Sequence, residues 1–99
     1  MSGSRTSLEA ALLALLPDAR LTGCKRSAWH SATFSGERVV ARLELHGPER
    51  DSAAEAFTKA LPETEFQLRR QFVADISVSA QRALPGAIAL TVEALLLDE

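Results

Sequence analysis

The chain has 99 residues, of which 46% are hydrophobic and 24% charged, and its formal net charge is −2. These values predict a single domain spanning residues 1–99, of ordinary globular composition, and exclude a disordered chain. The small negative charge argues against general attraction to nucleic acid or to anionic lipid. One cysteine, Cys24, excludes an internal disulfide and favours a reducing compartment.

The apolar run Ala10–Leu16 is too short to span a bilayer. It has the length of a signal-peptide core, but Glu9 borders it and no small-residue cleavage site follows. We therefore expect a cytoplasmic protein that does not bind membranes.

The N-terminal residues predict a flexible tail over 1–5, followed by a helix. Thr6 and Glu9 have the spacing of a capping box, in which each residue satisfies backbone N–H groups of the first turn. Apolar residues at helical spacing predict a helix over 7–16, and Pro17 ends it. Residues 18–27 are predicted to be a connector.

The segment Ala28–Leu45 predicts a β-hairpin. Its turn is predicted at Ser35–Glu37, because Gly36 can adopt a positive φ. A two-residue loop places Val39 and its alternating neighbours in the core and Trp29 on the other face. A three-residue loop would instead turn Trp29 inward. We favour the two-residue loop.

The second half repeats this pattern. A helix is predicted from Pro48 to Leu61, and alternating residues predict strands over 66–78 and 87–97 with a looser turn over 79–86. The predicted inward residues of these strands are Phe66, Leu68, Phe72, Ala74, Ile76, Val78, Ile88, Leu90, Val92, Ala94 and Leu96.

The resulting fold class is α+β, with the pseudo-duplicated order αββαββ divided into units 6–46 and 47–99. Residues 16–21 align with residues 61–66, which supports the duplication. We expect a four-stranded antiparallel sheet with both helices packed on one face. The favoured strand order is 1-2-4-3, since it makes the apolar last strand central. The order 2-1-3-4 and an exchange of halves between two chains remain alternatives.

The outer face of such a sheet is the main functional candidate, because an exposed tryptophan among aliphatic residues and arginines is typical of a protein interface. The predicted interaction face comprises Trp29, Thr33, Val40, Arg42, Glu44, Val73, Leu95 and Leu97. This pattern predicts a non-catalytic interaction module, such as an adaptor, a chaperone-like protein or an inhibitor. Its partner would be another protein or a second copy in a homodimer.

Basic pairs occur at similar places in the two halves. Lys25, Arg26, Arg69 and Arg70 are candidate anion-binding residues, and the alternative function is binding of nucleic acid or another anionic ligand. Against this, the chain lacks the series of aromatic residues that stacks on single-stranded bases. Solvated charges explain the same residues.

The sequence predicts no catalytic site, no metal site and no cofactor. Cys24, His30 and His46 lack the close spacing of zinc ligands. Lys25 and Arg26 could lower the pKa of the Cys24 thiol, and His30 is then the candidate base. An ordinary connector cysteine is the simpler interpretation.

Overall fold

The computed structural model describes residues 5–99, in which two helices accompany a four-stranded antiparallel sheet. The elements are α1 (Leu8–Leu15), β1 (Ala19–His30), β2 (Ser35–Leu45), α2 (Arg50–Ala60), a 3₁₀ turn (Leu61–Glu63), β3 (Gln71–Leu84) and β4 (Ala87–Asp98). The strand order is β1-β2-β4-β3, so the predicted α+β class and favoured order are confirmed and the order 2-1-3-4 is wrong.

The core lies on one face of the sheet, which we call the core face. It carries Val39, Ala41, Leu43 and Leu45 of β2 and the predicted inward residues of β4, all nearly inaccessible to solvent. Leu8 and Leu12 of α1 and Ala54 and Phe57 of α2 belong to the same buried cluster. Alternation along each strand places Val40, Arg42 and Glu44 on the other face, which we call the opposite face.

The first helix begins one residue later than the capping-box pattern predicts. Ser7, not Thr6, is the N-cap, and its Oγ accepts a hydrogen bond from the Ala10 N–H at 3.2 Å. Thr6 instead forms an isolated parallel bridge with Leu68, and Glu9 turns away from the helix end to contact β1. The predicted tail is likewise not free at Arg5, which forms an ion pair with Glu99 at 3.2 Å, while residues 1–4 lie outside the described residues.

The hairpin turn predicted at Gly36 is wrong. The loop is Ser31–Phe34, in which the Ser31 Oγ accepts hydrogen bonds from the N–H groups of Thr33 at 3.3 Å and Phe34 at 3.0 Å. The predicted connector 18–27 is therefore mostly strand β1, and Gly36 lies inside β2, paired with Trp29. Because a four-residue loop and a two-residue loop both have even length, the predicted faces of Trp29 and Val40 are nevertheless correct.

Strand β3 begins at Gln71 instead of Phe66. Arg70 has a φ of 59°, a left-handed conformation that interrupts an extended chain. A β-bulge between Val73 and Asp75 then shifts the alternation. As a result Val73 packs against the core, contrary to its predicted outward position, and Phe72 is 43% exposed instead of buried.

The second hairpin closes tightly. Strand β3 continues to Leu84, so the predicted turn over 79–86 shrinks to Pro85–Gly86. Gly86 has a φ of 73°, and proline followed by a left-handed glycine is typical of a type II turn. The two hairpin loops thus differ in length, four residues against two. The element order repeats, whereas duplication of the sequence stays a prediction.

Within residues 5–99, no helix combines the length and the apolar character that crossing a membrane requires.

Candidate functional site

Residues of the opposite face form level rows across the four strands, in the order β1, β2, β4, β3. Starting at the first hairpin loop, the rows are Trp29–Gly36–Leu97–Phe72, Ser27–Arg38–Leu95–Asp75, Lys25–Val40–Glu93–Ser77, Gly23–Arg42–Thr91–Ala80 and Arg20–Glu44–Ala89–Arg82. The side chains of paired residues point to the same side of an antiparallel sheet, so each row is a line of neighbours.

The first two rows contain the apolar end of this face, which consists of Trp29, Phe72, Leu95 and Leu97. Trp29 is half-buried and Phe72 is 43% exposed. Leu97 is only 8% exposed although it is absent from the core cluster. Gly36 is buried and has no side chain, and β4 approaches it so closely that a β-carbon there would lie 2.9 Å from the Leu97 Cα. The apolar end is therefore a patch in two parts, with Trp29 on one side of Gly36 and Leu95, Leu97 and Phe72 on the other.

The two halves of the opposite face differ in net charge. The half formed by β1 and β2 carries Arg20, Lys25, Arg38, Arg42 and Glu44, of which Arg20 and Glu44 are paired at 3.1 Å. The half formed by β4 and β3 carries Glu93, Asp75 and Arg82. One half is therefore strongly cationic, and the other is slightly acidic.

Six of the eight predicted interaction residues lie on this face: Trp29, Val40, Arg42, Glu44, Leu95 and Leu97. Thr33 lies in the hairpin loop, and Val73 lies on the core face. Sequence reasoning missed Phe72 and Arg38. Phe72 was assigned inward because nothing in the sequence marks the bulge that follows it. Arg38 was left out of the predicted face, although the alternation of β2 places it on the same side as Val40.

The structure does not bring the four candidate anion-binding residues together. Lys25 and Arg26 are consecutive in β1 and so point to different faces. Arg69 and Arg70 precede β3, at the other edge of the sheet, three strand spacings or about 14 Å away. The Arg69 Nε donates to the Arg5 carbonyl at 3.4 Å.

Arg26 is also neutralised locally. Its guanidinium donates to Glu9 at 2.6 Å and to Glu37 at 2.7 Å. Partial burial opposes ionisation of both Glu9 and Arg26, but the hydrogen bonds and charges of the pair outweigh it. The net effect lowers the pKa of Glu9 and raises the pKa of Arg26. Glu9 and Arg26 thus connect α1 to the edge strand β1.

The Cys24 thiol belongs to the same cluster, with its Sγ donating to the Glu9 carboxylate at 3.2 Å. Partial burial and this carboxylate raise the pKa of Cys24, which overturns the predicted lowering by Lys25 and Arg26. Because the pKa is raised, the thiol is a poorer nucleophile at neutral pH.

The predicted base for this thiol is out of reach. Cys24 and His30 are six residues apart in one strand, which is about 20 Å at the rise of a β-strand. His46 lies elsewhere, with its Nε2 at 3.0 Å from Glu44. Among residues 5–99, no group of three or more His, Cys, Asp and Glu side chains is placed to hold a metal ion.

Comparisons of the chain with protein-family models, with curated proteins and with solved structures find no match.

Proposed function

We propose that this chain is a small non-catalytic protein-interaction module that self-associates through the opposite face of its sheet. The observation that supports this function is the apolar end of that face, where Trp29, Leu97 and Phe72 lie in one row and Leu95 lies in the next. The buried residues of both helices lie in the core cluster, to which none of these four residues belongs. Aromatic and aliphatic side chains grouped in this way are typical of interface centres.

The size of the face suits a second copy of the chain. Four strands about 4.8 Å apart, each contributing about ten residues at about 3.3 Å per residue, give a footprint of roughly 600 Å². Two such faces in contact bury roughly 1,200 Å², the lower limit for a specific protein interface. The dimer is therefore expected to be reversible, with dissociation at low concentration.

The sheet edges are less suitable for self-association. The edge strand β1 carries the cation Lys25, and pairing two copies with this residue in register would bring two like charges together. Strand β3 has bulges after Val73 and after Val78, which break up a regular hydrogen-bonding edge. Pairing through the face avoids both obstacles.

The test is the molar mass in solution, measured by light scattering on a sizing column over at least a tenfold concentration range. The wild-type chain of 10.7 kDa should approach twice that mass at high concentration. Trp29→Ala or Leu95→Glu should remain monomeric with an unchanged circular-dichroism spectrum. Leu15→Ala is the matched control, since Leu15 is 45% exposed but ends α1, whose buried residues pack in the core cluster. A wild-type chain that is monomeric throughout would refute self-association.

Trp29 supplies an independent readout because it is the only tryptophan in the chain. Burial of its indole in the dimer should shift the fluorescence maximum to shorter wavelength as concentration rises. The shift should follow the same concentration dependence as the mass. A mass increase without any shift would place the contact elsewhere on the molecule.

A further inference from the structure

We infer that the two copies pack face to face with their two-fold axis parallel to the strands, so that Lys25 pairs with Glu93 of the second copy and Arg38 pairs with Asp75 of the second copy. This inference rests on the proposed function, since it specifies the geometry of the same contact. The observation that supports it is that one half of the opposite face is cationic and the other half is slightly acidic.

A symmetric dimer has only a few ways to place two sheets against each other. An axis that lies between the sheets and runs along the strands keeps each row level and reverses the strand order, so β1 faces β3 and β2 faces β4. An axis that runs across the strands places β1 against β1 and β2 against β2. The second arrangement would bring the cationic half, with Lys25, Arg38 and Arg42, against its own copy.

The axis along the strands places opposite charges of the two copies side by side and brings their apolar ends into contact. In the Lys25 row, Lys25 faces Ser77 of the second copy and lies beside its Glu93. In the next row, Arg38 faces Leu95 of the second copy and lies beside its Asp75. Each of these ion pairs occurs twice in the dimer by symmetry.

Under this axis the row at the apolar end also faces the same row of the second copy. Trp29 of one copy faces Phe72 of the other, and Leu97 faces Gly36. Gly36 is buried and has no side chain, so Leu97 of the second copy meets backbone at this position. Aromatic therefore meets aromatic in this row, which fits aligned packing of two sheets about 10 Å apart.

Charge-reversal variants test this geometry. Lys25→Glu and Glu93→Lys should each weaken dimerisation by about tenfold or more, because each places two like-charge pairs in the homodimer. An equimolar mixture of the two variants should recover a dimer close to wild type, since both of its ion pairs are again of opposite sign. Native mass spectrometry distinguishes this heterodimer from either homodimer.

The matched controls are Glu55→Lys and Lys59→Glu, exposed reversals on α2 that should leave dimerisation unchanged. If Lys25→Glu proves unfolded by circular dichroism, Arg38→Glu and Asp75→Arg form the second complementary pair. The proposed axis would be wrong if these reversals left the dimer affinity unchanged, or if they weakened both homodimers and mixing gave no heterodimer. Either result would still be compatible with self-association. A monomeric wild-type chain would overturn both proposals.

Discussion

Gly36 of β2 and Leu97 of β4 approach so closely that a β-carbon on Gly36 would lie 2.9 Å from the Leu97 Cα and would overlap the Leu96 carbonyl oxygen. Glycine at this position therefore serves the contact between two central strands, not a turn.

Replacement of Gly36 by alanine should lower the free energy of unfolding by about 1–3 kcal/mol, because backbone atoms of β4 must move away from the new methyl group. Gly23→Ala is the control. A β-carbon on Gly23 would meet only the Arg42 Cβ at 4.0 Å, so this variant should stay within about 0.5 kcal/mol of wild type. Chemical denaturation of the three proteins measures both effects, and equal stability of the two variants would contradict the close approach.

The ion pair between Glu9 and Arg26 should make stability depend on pH in the acid range. The pKa of Glu9 is lowered in the folded protein from its ordinary value of 4.5, so the unfolded chain binds the proton first as pH falls. The stabilisation is therefore complete above about pH 4.5 and is lost as the pH falls through the folded pKa. Urea midpoints of wild type should decline more steeply in this range than those of Glu9→Gln. Parallel curves would show that the pair adds nothing.

The same carboxylate should protect the Cys24 thiol from alkylation. Glu9 accepts a hydrogen bond from the thiol and raises the pKa of Cys24, which keeps the fraction of thiolate low. Glu9→Gln should therefore increase the rate of reaction with iodoacetamide near pH 8 by about twofold or more. Glu55→Gln, on α2, should react at the wild-type rate, and an unchanged rate in Glu9→Gln would exclude the protective contact.

Arg70 should be replaceable by glycine with a gain in stability. Its φ of 59° costs a non-glycine residue about 1–2 kcal/mol, whereas glycine in the unfolded chain costs about 0.5–1 kcal/mol. Arg70→Gly should thus raise the free energy of unfolding by roughly 0.5–1 kcal/mol. Arg69→Gly has no such conformation to relieve and should be neutral or destabilising. A loss of stability in Arg70→Gly would point to side-chain contacts that outweigh the backbone cost.

Local sequence patterns predicted the orientation of side chains correctly where one side of a strand is buried. The alternation in β2 and β4 identified the core residues and the faces of Val40 and Leu95, because a strand has only two faces and burial selects one. Trp29 was assigned to its face despite a misplaced turn, since both loop lengths are even. The apolar content of β4 likewise predicted its central position and with it the strand order.

The errors lie where distant parts of the chain meet. Gly36 resembled a turn residue, but its role is set by β4, about 60 residues away in the chain. Glu9 resembled a capping residue, but Arg26 of β1 binds it instead. Phe72 and Val73 exchanged faces because a bulge in pairing with β4 inserted one residue. Each outcome depends on a pairing partner that the local sequence does not contain.

The sequence by itself determined the α+β class, the two core-forming strands and the face that carries Trp29, because these follow from the periodicity of apolar residues along short segments. Only the tertiary structure decided the levels at which residues of different strands meet. Those levels place Trp29, Leu97 and Phe72 in one row and divide the charges between two halves of the face. Register arises from hydrogen bonding and packing between segments far apart in the chain, so no single segment encodes it.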